Sequence, residues 1–136
     1  MLEYLPLLIL MVAGLLALAL WLPRWRMLRT VGRPAPDLTD LSCPGARMID
    51  EGFYYFFSPR CSHCKPVALA LDRLVARGAR VVRVDVTQTC DVARRFGVRE
   101  IPAVVAVEHG HIARVLVGAR AARSLTPADV SRPAPA

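Results

Sequence analysis

Cys61-Ser62-His63-Cys64 places two thiols two residues apart, between an apolar run, Phe53-Tyr54-Tyr55-Phe56-Phe57, and a helical-looking stretch, Val67-Ala68-Leu69-Ala70-Leu71. At that spacing the two sulfurs can close a small disulfide. The first turn of a following helix aims backbone N–H groups at Cys61, and Arg60 and Lys65, with His63 when protonated, add positive charge. Both effects favour a thiolate over a thiol. A thiolate is the species that attacks disulfides, so the chemistry indicated is thiol–disulfide exchange, with Cys61 attacking and Cys64 resolving. His63, Lys65 and Arg60 would tune the redox poise of the pair.

The elements that position the thiols follow from apolar patterning. Phe53–Phe57 is continuous enough for a strand buried on both faces. Ser58-Pro59 ends it, and Val67, Leu71, Leu74 and Val75 recur at helical spacing. Pro66 is tolerated only near a helix start, which sets the helix N-terminus at the cysteines, and Gly78 closes the helix. Arg80–Val86 is β-branched and strand-like. Thr89 or Asp91 could cap a short helix running to Phe96 and Gly97. Ala103–Glu108 and Ile112–Val117 read as strands joined by a His109-Gly110-His111 hairpin. A weaker helix is expected around Ala119–Leu125. The order β-α-β-α-β-β-α predicts an α/β three-layer sandwich with a mixed sheet.

The chain has 136 residues and a net charge of +7 that is almost wholly arginine, Lys65 being its only lysine. The basic residues form no continuous face interleaved with aromatics, which argues against a nucleic-acid partner. Ahead of the domain, Leu5–Leu22 is an uncharged apolar run. Eighteen residues span about 27 Å as a helix, enough for a thin bilayer core, so membrane lipid is an expected partner. A cleaved signal peptide competes with this reading through Ala17-Leu18-Ala19, but the preceding segment carries Glu3 and no Lys or Arg. The expected organisation is an anchor over 1–23, a basic, Pro-rich linker or extended lead-in over 24–46, the domain over 47–126 and a tail over 127–136. Arg24, Arg26, Arg29 and Arg33 flank the C-terminal side of the run. By the positive-inside rule they place the domain in the cytoplasm, against a cell or inner membrane.

The element order, with the cysteines at the first strand-to-helix junction, resembles the thioredoxin family over roughly Phe53 to Leu125. Phe96-Gly97-Val98-Arg99-Glu100-Ile101-Pro102 is similar to the family's segment ending in a cis-proline. Val107–His111 resembles its glycine hairpin, Val117-Gly118-Ala119 the end of its last strand, and Asp85 closes a strand in the family's style. The resemblance implies a cis Pro102 lying against the cysteine pair, with the Ile101 backbone pairing to an incoming peptide strand. It implies a thiol–disulfide oxidoreductase with no cofactor beyond the Cys61–Cys64 disulfide, acting on protein thiols or disulfides with a redox partner protein. Many membrane-tethered redox domains face away from the cytoplasm, so the resemblance leaves an extracytoplasmic or periplasmic orientation as the alternative.

Three departures stand out. The family's buried acid, six residues before the first cysteine, is replaced by Tyr55, a poor base with an ordinary pKa of about 10. Release of a mixed disulfide by Cys64 is therefore expected to be slow, or to rely on water or a partner. The usual Trp is Arg60 and the usual Gly-Pro is Ser62-His63; a histidine at that position resembles the periplasmic disulfide oxidases and predicts a less reducing pair. The family's N-terminal strand and helix are shortened or missing, because Pro34–Met48 shows no clear periodicity. Cys43 and Cys90 carry three readings: inert small hydrophobes, a second disulfide, or a four-thiolate zinc site with Cys61 and Cys64. No metal ligand is assigned. His109 and His111 read as polar turn residues.

Overall fold

A computed structural model describes residues 2–39, 47–88 and 91–129. Cys43 and Cys90 lie outside them, as do Thr89 and the last residues of the tail. The domain is built on four strands, β1 (Gly52–Phe57), β2 (Val81–Asp85), β3 (Ala103–Glu108) and β4 (His111–Val117), in the order β2-β1-β3-β4. β1 runs parallel to β2 and antiparallel to β3, and β3 is antiparallel to β4. The sheet is mixed because β1 reaches β2 through a helical crossover, whereas β3 and β4 share a tight hairpin. His109 (φ 51°) and Gly110 (φ 73°) both adopt left-handed backbone there. That turn matches the right-handed twist of the flanking strands.

The apolar run of β1 alternates between two cores. Tyr54 and Phe56 pack with Val82, Val84, Val92, Phe96, Val105 and Ile112 on one face. Phe53 and Tyr55 pack with Cys64, Val67, Leu71, Leu74 and Val104 on the other. The first face is covered by the short helix α3 (Val92–Arg95), and the second by α2 (Cys64–Val75) and the single turn α4 (Ala121–Ser124). Helices on both faces of one sheet make the three layers. α2 presents Cys64, Val67, Leu71 and Leu74 inward, one stripe of an amphipathic helix. It ends with the Ala79 N–H donating to the Leu74 carbonyl around Gly78, whose φ of 96° suits the left-handed cap.

An N-terminal helix, α1 (Leu5–Leu28), precedes the domain. Its Leu5–Leu22 portion has mean hydropathy 2.6 and no buried share, and is long and apolar enough to cross a membrane. A signal sequence satisfies the same description. After α1 the chain lies along β4. The Gly32 N–H donates to the Ile112 carbonyl, the Ile112 N–H to Arg33, and the Ala35 N–H to Gly110, with a single bridge between Pro34 and His111. Leu38 is buried in the first core, and Arg95 donates to the Asp37 carbonyl. The folded unit thus includes part of the segment that the sequence assigns to the linker. Prolines denied this stretch helical periodicity, and extended backbone bonded to an edge strand needs none.

Candidate active site

The site is assembled at the C-terminal end of β1. Phe57 ends the strand, the Cys61 N–H donates to the Ser58 carbonyl, and the Cys64 N–H donates to the Cys61 carbonyl as α2 begins. This tight turn brings the cysteine Cα atoms to 5.4 Å, and the two sulfurs are joined in a disulfide. Their environments differ. Cys61 is half-buried beside exposed Arg60, Ser62 and His63, whereas Cys64 is buried, 5% exposed, within the second core. An incoming sulfur therefore reaches Cys61 first. Lys65 and Pro66 are also exposed, so all three side chains assigned to redox tuning ring the mouth of the site in contact with water. His63 stands at the N-cap position without a side-chain cap hydrogen bond. Its influence on Cys61 would be one of charge.

The register brings a second sequence-assigned pair to the same end of the sheet. Ala103 of β3 pairs with Phe56 of β1, so Ile101 and Pro102 lie just beyond, where β1 gives way to the cysteine loop. The Ile101–Pro102 peptide bond is cis. Pro102 is buried and accepts a hydrogen bond from the Gly118 N–H, and Ile101 packs half-buried against the first core.

With this geometry in place, the relatives can be compared. The thioredoxin family model matches residues 50–128, more than half of the chain. The protein belongs to the thioredoxin family. Its thioredoxin domain is 33% identical over 67 residues to thioredoxin of Haemophilus influenzae, covering 47% of this chain and 63% of that protein. It is 36% identical over 64 residues to the protein disulfide-isomerase of Oryctolagus cuniculus, covering 43% of this chain and 13% of the relative. Among solved structures it is similar to mitochondrial thioredoxin 3 of Saccharomyces cerevisiae in its oxidised form. There the TM-score is 0.50 at 25% identity, over 55% of this chain and 73% of the other. The chain thus spans somewhat less than two thirds of the length of the curated thioredoxin.

Within this thioredoxin domain, Tyr55 has a role that the sequence reading missed. Its hydroxyl, buried, donates to the Cys64 carbonyl at 2.9 Å. Burial raises its pKa above the ordinary value, more than Arg83 nearby lowers it, and Asp72 adds to the rise. Tyr55 is thus neutral across the physiological range and its proton is committed to the backbone. Among the described residues no charged side chain lies in the buried core. Asp50 and Glu51 sit before β1, at the opposite end of that strand, and Glu51 is 3.8 Å from His109 on the hairpin. The parity of β1 could have revealed the tyrosine's direction, since Tyr55 shares the face of Phe53 and of α2. The described residues hold no cluster of three or more His, Cys, Asp or Glu side chains suited to a metal. The zinc reading of Cys43 and Cys90 falls outside the described residues.

Proposed function

We propose that the protein is a thiol–disulfide oxidoreductase that exchanges disulfides with protein substrates through Cys61 and Cys64. The observation that carries this reading is the disulfide at the α2 N-terminus, with one sulfur accessible and the other buried. In the oxidising direction a substrate thiolate attacks the Cys61 sulfur, the Cys61–Cys64 bond breaks, and its electron pair leaves on Cys64, which takes up a proton. A second substrate thiolate then attacks the substrate sulfur of the mixed disulfide, releasing substrate disulfide and the Cys61 thiolate. The reducing direction is the reverse. The α2 N-terminus and the exposed cations Arg60 and Lys65, with His63 when protonated, favour the Cys61 thiolate. Ile101 and Pro102 would shape the surface on which a substrate strand lies.

The same proposal anchors the domain to a membrane through α1, with the arginines after Leu22 holding it on the cytoplasmic side. The anchor would concentrate the domain against cysteines of membrane or envelope proteins. Support for the anchor comes from the length, apolarity and complete exposure of Leu5–Leu22.

Two measurements test the proposal. The full chain in detergent should turn over a protein disulfide, and Cys61→Ser should reduce that rate to background; equal rates would refute the exchange reading. In intact cells pretreated with an impermeant reductant, an impermeant alkylating reagent should label Cys61 only after permeabilisation, since it reacts with the thiolate and not the disulfide. Ready labelling of unpermeabilised cells would reverse the orientation. A second reading, a docking module of slow turnover, is favoured by the replacement of an acid by Tyr55 beside Cys64.

A further inference from the structure

The sulfur that must close the disulfide lies in a core that holds no carboxylate among the described residues. Cys64 lies in the core formed by Phe53, Tyr55, Val67, Leu71 and Val104. Apart from the two tyrosines of β1, Tyr54 and Tyr55, and Cys64 itself, none of the described titratable or charged side chains on the packed elements is buried. On α2 and β2, Asp72 and Arg83 are paired with each other at the surface, and Asp85 accepts hydrogen bonds from Thr87. Arg60, His63 and Lys65 are exposed at the mouth, Arg120 and Arg123 are exposed at α4, and Arg114 is half-buried on β4. β3 contributes only Glu108, at its hairpin end. None is a buried carboxylate.

We infer that Tyr55 is the positioning residue of this site: its hydroxyl fixes the Cys64 backbone at the start of α2 and leaves the Cys64 thiol to exchange its proton with solvent. The domain then passes through a mixed disulfide on Cys61 that is long-lived at neutral pH and closes faster as pH rises. This inference rests on the exchange reading above.

The geometry supplies both halves. The Cys64 carbonyl is the first of α2, and a helical carbonyl already accepts from the N–H four residues on. The phenol supplies a second donor to the same oxygen, tying α2 to β1. The tyrosine ring is itself held, stacked on Phe57 at a centroid distance of 5.4 Å. Closure requires Cys64 to lose its proton and attack Cys61, the electron pair of the mixed disulfide leaving on the partner sulfur as a thiolate. With a bonded phenol and no buried carboxylate among the described residues, the proton goes to water or hydroxide.

The full chain in detergent, with Cys43→Ser and Cys90→Ser in place, is reduced and treated with an aromatic disulfide that releases a coloured thiolate. The first equivalent marks the mixed disulfide on Cys61 and the second marks closure by Cys64. Closure should accelerate about tenfold per pH unit between about pH 6 and 8, following the thiolate fraction. Tyr55→Phe should keep that slope and slow closure at every pH by about fivefold, the worth of one net hydrogen bond. Tyr55→Asp, if folded by circular dichroism, should raise the neutral rate by about a hundredfold and flatten the profile, as a general base does.

A wild-type rate that levels off below about pH 7 overturns the inference and leaves the exchange reading intact. So does a Tyr55→Phe chain with wild-type closure, or a folded Tyr55→Asp chain with the wild-type profile. Failure to release the second equivalent at any pH refutes both readings.

Discussion

Tyr54 and Tyr55 are neighbours in the chain, yet they tie down opposite regions of the molecule. The Tyr54 hydroxyl donates to the Arg47 carbonyl at 2.8 Å and accepts from the Ile49 N–H at 3.0 Å, fixing the approach to β1 at the end remote from the cysteines. The Tyr55 hydroxyl reaches across the other face to the first carbonyl of α2. Strand pleating sends alternate side chains to opposite faces, so one dipeptide serves both cores. The remote end is closed almost wholly by backbone: Gly110 donates to the Asp50 carbonyl and accepts from Ala35, while Gly32 and Arg33 bond Ile112. The cysteine end is open, with a half-buried sulfur above a buried one. The exchange end is held by the Tyr55 phenol together with the hydrogen bonds of the Cys61 N–H to Ser58, the Cys64 N–H to Cys61 and the Gly118 N–H to Pro102.

Substitutions that respect this division should change stability at one end and exchange at the other. The largest loss is expected at Gly52, where β1 begins with φ 138° and an added Cβ would lie 2.4 Å from the Arg80 carbonyl oxygen. Gly52→Ala should lower unfolding free energy by about 3 kcal/mol in urea titrations. The reduction potential of the surviving folded protein should be unchanged, and a shifted potential would mean that the two ends are coupled.

Leu38→Ala follows, at about 2 kcal/mol, because that side chain is buried in the first core from a segment outside the strands. A loss under about 0.5 kcal/mol would mark the lead-in as a surface connector, since substitutions at such positions cost no more. Tyr54→Phe should cost about 1 kcal/mol and leave disulfide closure untouched, in contrast to Tyr55→Phe.

The two tyrosines also share a pH signature. Burial raises both phenol pKa values above the usual figure of about 10. The unfolded chain would therefore release these protons first. The stability they contribute is complete below about pH 10 and is lost as pH climbs toward the folded-state values. Denaturation midpoints should fall above about pH 10 in the wild type and fall less in the Tyr54→Phe/Tyr55→Phe chain. The smallest effect belongs to Asp72–Arg83, a pair about half exposed. Asp72→Asn should cost at most about 1 kcal/mol, and the cost should shrink in high salt.

Much of the exchange site was legible as a string. The cysteine spacing, the apolar run before it and Pro66 after it place a redox pair at a strand-to-helix junction, because each is a local demand of backbone or sulfur chemistry. The hairpin was legible for the same reason, its His109-Gly110 turn being a short-range signal. The bonding of residues 32–35 to β4 was not, since it depends on an edge strand some eighty residues away and on backbone groups that every residue carries.

The sequence by itself determined the chemistry: two thiols at fixed separation, the cations around them, and a tyrosine where an acid would have supplied a base. Tertiary structure decided which sulfur is buried, where the Tyr55 proton is spent, and that Pro102 comes to the same end of the sheet as the cysteines. Those outcomes depend on which groups meet across the sheet. Burial and hydrogen-bond partners belong to pairs of residues distant in the chain, and no residue type carries them alone.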